Sequence, residues 1–524
     1  MAKPQIMFYH DGRHPHIYRY EPPMQKEEFQ ACIDELVGTP VEAVTFCLGE
    51  GRTMLHDTKA GELLGDNVEK WGHLIFRRAH QNAKHLIGEG NDPLRIVCER
   101  AHEKGMLLYP ALLVQGSGNS SAPDRNSNFR KQNTHLEIGA GGDLDPSWEG
   151  AEGNDFKHKE TRDERFAIIE EALTDYPVDG FELNLNMMPY YFHPNEIESG
   201  RPIMTDWIGQ IHEKLKKSGS DRELAIRIPY RLEDCYATGL DVEDWIKRGI
   251  VDALIGETFI GQNQVIDPMC DFRPLIASAK NSDCRVLAAL KSHVGSDRLG
   301  DAPISMIRAT ACNYWAQGID GIYVAHWFTH WPYQKNFYEM MREIPHPDIM
   351  ANKDKFYHTL TAHDKPVQNG VTAQLPSTMK LGQPTTVNLT ISDDLPRWDN
   401  VDRVHEVLLR IGIQGTTELD RISFKLNGEE LPTDSLRVIN QAYRMSAPRH
   451  RAGPTYWFVF RLDRSHWPIQ GNNTLEVTLI ERDPDLAIEI SLRDLELEIK
   501  YLMGKNFHRG FVDQDLGPYD QAGS

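Results

Sequence analysis

The residues best suited to chemistry stand at the ends of short apolar runs. In "GFELNLN", from Gly180, the two-residue period of a strand puts Glu182, Asn184 and Asn186 on one face and Phe181, Leu183 and Leu185 on the other. Three polar side chains on one face need solvent, a ligand or hydrogen-bond partners, because an unpaired buried carboxylate is costly. They either line a site or form a polar layer that closes a barrel. Glu257, in "IGETF", is the natural second carboxylate. Cleavage of a glycosidic bond calls for one protonated acid and one ionised carboxylate on either side of it. On that reading Glu182 is nucleophile or base and Glu257 the general acid. The competing reading pairs Glu257 with Arg227 or Lys291 as a structural ion pair.

Basic and imidazole groups gather at equivalent positions. Arg227, Tyr230 and Arg231 lie in "LAIRIPYR", and Lys291 and His293 in "RVLAALKSH". Arginine grips carboxylate or sulfate bidentately, so Arg227 with Lys291 suggests a ring bearing a uronate or sulfate group. The alternative is internal neutralisation of Glu182 and Glu257. His10, His293 and His326 fall near the ends of the first, seventh and eighth runs, which a closed barrel makes neighbours, and are acid/base candidates. No HxH on a strand and no HExxH supports a metal, so neither metal nor other cofactor is expected. Asp11, Glu50 and Gln115 add further polar strand ends. Tyr190, Tyr191 and Phe192 follow the fourth run, and Trp327 and Trp331 the eighth. Such aromatic faces suit sugar rings, although core packing explains some of them equally well.

These positions are set by eight strand-like runs, beginning near Gln5, Ala43, Gly105, Gly180, Leu224, Val251, Arg285 and Gly321. Amphipathic segments separate them: Phe29, Cys32, Ile33, Leu36 and Val37 make a helical stripe, and Ile203 to Leu215 a second. "DPLRIVCERAHEKG" reads as a helix with Asp92 as N-cap, Pro93 in its first turn and Gly105 as C-cap. Eight βα units predict a (β/α)8 barrel over residues 1–362, whose catalytic groups sit at the C-terminal ends of the strands. Long insertions at 49–90 and 114–159 leave that same face and read as lids or subsite walls. Alternating strands then predict an antiparallel β-sandwich over 363–510, and 511–524 a flexible tail.

Composition narrows the partners. A chain of 524 residues calls for two or three domains, and a net charge of -20 argues against nucleic acid, which needs a basic face. No window approaches the roughly 20 apolar residues of a membrane helix, and the N-terminus has no secretory core, so a cytoplasmic protein is expected. Removal of a signal peptide would leave the same picture. The seven scattered cysteines, with no CxxC, fit buried thiols. The oligomeric state stays open, a homo-oligomer included.

"YPVDGFELNLNMMPYYFHP" resembles a group of glycoside-hydrolase-like barrels that carry Tyr-x-x-Asp-Gly-x-Glu-Leu-Asp on strand four, followed by an aromatic, proline-containing loop. "LAIRIPYRLEDCYATGL" and "GIDGIYVAHWF" extend the likeness, which spans about Asp163 to Trp331. The resemblance implies Glu182 as the leading catalytic residue. Asn184 stands where those barrels carry Asp, a departure that counts against simple hydrolysis if that Asp is the nucleophile or acid. "ISFKLNGEEL" and "GNNTLEVTLI" are similar to the jelly-roll modules that accompany many glycosidases. The expectation is a carbohydrate-active enzyme of the glycoside-hydrolase type. Its rivals are a uronate lyase or dehydratase, in which His293, His326 or Tyr230 takes a proton, and a sugar-binding barrel without activity.

Overall fold

The computed structural model describes residues 3–116, 123–258, 265–294, 301–361, 373–440 and 455–504. Eight parallel strands form the barrel. They are β1 (Ile6–His10), β2 (Ala43–Glu50), β3 (Leu107–Leu113) and β4 (Gly180–Asn184), then β5 (Glu223–Pro229), β6 (Ala253–Glu257), β7 (Arg285–Leu290) and β8 (Gly321–Val324). Each pairs with its neighbour in sequence, and β1 bonds both β2 and β8, which closes the sheet. Carried round at constant register, the pairings that leave Leu107 return to Gln115, the eight-residue stagger of a closed eight-stranded barrel.

Strand alternation sorts the side chains. Ile6, Phe8, Val44, Phe46, Leu183 and Ile226 face outward into one core with the helices. Met7, Tyr9, Tyr109, Ala225, Ile255 and Tyr323 belong to a second cluster inside the barrel. Alanine at 43, 111, 225, 253 and 289 in that cluster leaves room for a few large inward groups.

The helix that follows β2 and its insertion starts as its sequence dictates. Asp92 Oδ1 accepts from the Leu94 amide at 3.1 Å, Pro93 opens the helix Pro93–Glu103, and Gly105 takes a left-handed φ of 77°. In the first stripe Phe29, Cys32, Ile33 and Leu36 are buried, whereas Val37 lies past the helix end and is exposed. The 49–90 stretch is not structureless: it holds two short strands and the helix Leu74–Gly88, which buries Ala79, Ala83 and Leu86. The 114–159 stretch carries short helical turns, among them Asn128–Gln132. All seven cysteines are buried free thiols.

The second half is a two-sheet sandwich. One sheet runs in the order β9 (Lys355–His358), β16 (Ser491–Tyr501), β11 (Val404–Gln414), β14 (Thr455–Arg461), β13 (Leu436–Asn440). The other contains β10 (Pro384–Ile391), β15 (Gly471–Glu481) and β12 (Arg421–Leu426) in that order. All these pairings are antiparallel, and Leu389, Val477, Leu409 and Leu497 meet in one core between the sheets. Two strands escape the sequence reading: β13, and β9, which precedes residue 362 yet belongs to the sandwich sheet. The 362/363 boundary and the 511–524 tail lie outside the described residues. Among those residues no helix is long and apolar enough to cross a membrane.

Candidate active site

Two tiers of polar side chains fill the C-terminal half of the barrel. The lower tier is centred on Glu182, an inward residue of β4 with no exposed surface. Arg227 reaches its Oε1 from Nε at 2.9 Å and from Nη2 at 2.6 Å, while the Tyr323 hydroxyl donates to Oε2 at 2.6 Å. Thr45 Oγ1 lies 2.8 Å from the same hydroxyl. The Arg227 guanidinium is held between the rings of Tyr9 and Tyr323, at 4.3 and 4.6 Å. Tyr9, Tyr323 and Thr45 escaped the sequence reading, although the alternation that placed Glu182 inward also places them. Both Glu182 oxygens are therefore engaged, and Arg227 is committed to an internal carboxylate rather than to an incoming anion.

The upper tier lies at the strand ends. Glu257 closes β6, and its Oε2 accepts from Asn186 Nδ2 at 2.7 Å. Lys291 Nζ stands 3.3 Å and His326 Nε2 3.7 Å from Oε1. Burial pushes the Glu257 pKa up, but Lys291, Arg227 and His326, with the Asn186 amide, bring it down to about 2. The group is ionised at neutral pH, which suits a base or nucleophile, whereas the expected general acid would have to be protonated. Asn186 Oδ1 is buried without a hydrogen-bond partner among the described residues.

His326 joins the tiers. Its Nε2 lies 3.4 Å from Arg227 Nη1, and its ring 4.9 Å from Tyr9. Burial lowers its pKa to about 3; Glu257 opposes the shift, and Arg227 and Lys291 reinforce it. The imidazole is neutral at physiological pH. Its backbone is left-handed, with φ of 57°, a conformation uncommon outside glycine and one that concentrates at functional sites.

The remaining expected residues divide. Asn184 Oδ1 accepts from the amides of Asn186 and Met187 at 3.0 and 2.9 Å, so it turns the chain and aims Asn186 rather than meeting a ligand. Asp11 is clamped by Arg13, which also reaches Glu50 at 3.2 Å; despite burial, Arg13 and His14 hold the Asp11 carboxyl well below the usual range. Gln115 ties the 114–159 insertion to the loop after β4 through the carbonyls of Asn154 and Tyr190. The Tyr230 ring packs 5.6 Å from Phe272, and Arg231 lies 3.6 and 3.7 Å from Glu233 and Asp234. Tyr190 meets Trp148 edge to face at 5.0 Å.

Three expected residues lie outside this cluster. His10 has the parity of Phe8, so it points outward and stacks on Phe46 at 5.2 Å, away from the central cluster. His293 is exposed and joins the structure through backbone bridges to Val265 and Asp301. Trp327 is fully buried with Nε1 bonded to the Leu290 carbonyl at 2.9 Å, which makes it a core residue rather than a platform. Among the described residues no group of three His, Cys, Asp or Glu side chains could hold a metal ion.

No family model matches the chain, and no curated protein does. Solved structures resemble it at low identity. A cycloisomaltooligosaccharide glucanotransferase from Paenibacillus sp., complexed with cycloisomaltoheptaose, is 13% identical over 94% of this chain and 57% of its own, with a TM-score of 0.35. Alpha-L-fucosidase isoenzyme 2 from Paenibacillus thiaminolyticus is 13% identical over 69% of this chain and 51% of its own, with a TM-score of 0.43. An Anoxybacillus alpha-amylase is 11% identical over 92% of this chain and 98% of its own, with a TM-score of 0.40. The structural neighbours include glycoside hydrolases. This chain spans little more than half the length of the first two proteins.

Proposed function

We propose that the chain is a carbohydrate-active enzyme of the glycoside-hydrolase reaction class, with Glu257 as its working carboxylate. The observation that carries the reading is the quartet Glu257, Asn186, Lys291 and His326, gathered at the end of the barrel where catalytic groups concentrate. An ionised carboxylate there can attack or stabilise an oxocarbenium-like centre, or activate a water. Lys291 and Asn186 hold it in place and keep it charged. Arg227, locked by Glu182 and Tyr323, fixes His326 from below.

The test is release of reducing ends from a panel of oligosaccharides. Wild type is expected to turn over at least one, and Glu257→Gln to lose about 10²- to 10⁴-fold in rate, the usual contribution of a positioned acid or base. Equal rates in both would remove the assignment.

A second reading draws on the sealing of Glu182, which leaves Glu257 as the one carboxylate of this pair poised for chemistry. On it the substrate is a uronate whose carboxylate lies against Lys291. Glu257 removes the proton beside that carboxylate, the neighbouring C–O bond breaks to leave a conjugated double bond, and the departing oxygen takes a proton from water. Ultraviolet absorbance that grows during turnover, without new saturated reducing ends, would favour elimination over hydrolysis.

A further inference from the structure

A cleft of about 470 Å³ opens beside this centre, between the turn after β1 and the turn after β8. Tyr9, His10, Tyr18, Arg19, Trp331 and Tyr333 line it. Its size falls within the range of small-molecule pockets. Tyr9 is the shared wall, since the same ring meets Arg227 and His326.

The aromatic lining is held in place. Trp331 donates from Nε1 to Glu35 at 2.9 Å and carries the Arg19 guanidinium over its ring at 5.0 Å. Tyr333 stacks on Phe337 with centroids 4.0 Å apart and planes 14° apart. Tyr18 is 53% exposed at the rim, on a π-helical turn from Pro15 to Arg19.

Charge in the lining cancels. Arg19 bonds Glu35 at 2.5 Å, and Asp11 is matched by Arg13. Burial keeps His10 neutral, with a pKa near 3, and also lowers that of His14. The Arg19 and His10 side chains are about 5% exposed, and Arg19 Nη1 and His10 Nδ1 have no surface open to the cleft, so a ligand there meets chiefly aromatic faces.

We propose that this cleft is a subsite for an uncharged sugar ring, stacked on Trp331 and Tyr18. It rests on the carbohydrate reading above and adds to it the class of ring held next to the reacting one. Aromatic faces supply the contact, and the cancelled charges give a uronate or sulfated ring nothing to pair with.

Methyl glucoside, methyl galactoside and methyl mannoside are the probes, with glucuronate as the charged counterpart. Binding to the full chain is followed by saturation-transfer NMR and tryptophan fluorescence. At least one neutral glycoside is expected to bind, about tenfold or more tighter than glucuronate. Tyr18→Ala, at an exposed position, and Trp331→Leu should each weaken it by roughly three- to tenfold. Glu257→Gln should leave it unchanged. Neutral binding by a chain that turns over no substrate would keep the subsite and remove only the reaction assigned to Glu257. The proposal is overturned if no neutral glycoside binds, if both aromatic variants bind like wild type, or if glucuronate binds more tightly.

Discussion

Arg227 sets two nitrogens, Nε and Nη2, on a single oxygen of Glu182, and neither side chain has any exposed surface. The third nitrogen, Nη1, is the one that reaches up to His326. The pair is thus the floor on which the upper tier stands. It also answers why a strongly polar strand can run through the middle of a barrel: each charge desolvates the other's partner and repays it with short, well-directed bonds.

Breaking that pair from one side should be far costlier than removing it whole. Arg227→Met leaves an uncompensated carboxylate at the barrel centre, and a loss of about 3–5 kcal/mol in urea unfolding is expected. The double variant Glu182→Leu with Arg227→Met removes both charges and should recover most of that loss. A single variant with wild-type stability would show that the ion pair does not support the barrel.

Trp327 separates packing from binding. Its indole is wholly buried against Phe337 and His330, and its one donor is satisfied by a backbone carbonyl. Trp327→Ala should cost about 3–5 kcal/mol of stability, as large buried aromatics do. In conditions where the variant is folded, glycoside affinity should stay at the wild-type level. A selective loss of affinity with stability intact would restore Trp327 as a sugar platform.

Much of the barrel was legible because its signals are local. Apolar runs, the Asp92–Pro93 start and the Gly105 stop are properties of neighbouring residues, and strand parity alone put Glu182 and Asn186 on the inner face. Parity also held the error over His10: Tyr9 faces inward, so the next residue cannot. What stayed hidden depends on distant chain. The partner choice of Glu182 brings together β4, β5 and β8, and no spacing reveals it. The turn role of Asn184 is a backbone event past the end of its strand. Trp327 and Trp331 look alike in sequence, yet one meets Leu290 in the core and the other Glu35 at a cleft. β9 was missed because four residues carry too little alternation to signal a strand.

His16 should make stability depend on pH. It is fully buried, neither ring nitrogen has a partner among the described residues, and burial lowers its pKa from 6.5 to about 3. The unfolded chain therefore binds the proton more readily than the folded one. This contribution is whole above about pH 6.5 and is lost as the pH falls from there toward 3, by up to about 1.4 kcal/mol per unit. His16→Leu removes it, so the stability gap between variant and wild type should shift in the variant's favour between about pH 7 and pH 5. A gap independent of pH would mean that the imidazole binds a proton as readily in the folded protein as in the unfolded chain.

Lys355 ties the last helix of the barrel half to the sandwich. Its ammonium lies 3.0 Å from Asp393 and donates to the carbonyls of Met350, Ala351 and Lys353 at 2.8, 3.0 and 3.2 Å. Three of these ligands mark the carbonyl end of the helix Pro347–Met350, where a cation is favoured, and the fourth follows β10. Asp393 in turn accepts from Tyr357 and, at 2.6 Å, from Tyr501, so β9, β10 and β16 converge on one charge. Lys355→Met keeps the length of the side chain but strands Asp393 and three carbonyls in the interior. A loss of about 3–5 kcal/mol is expected in urea unfolding, together with faster limited proteolysis between Met350 and Lys355. Adding Asp393→Asn should restore part of the stability, because the buried negative charge is then gone while the amide oxygen still accepts from one tyrosine hydroxyl and the amide nitrogen can donate to the other. If the second substitution lowers stability further instead, the bonds of Asp393 to the tyrosines, and not its pairing with Lys355, hold the junction together.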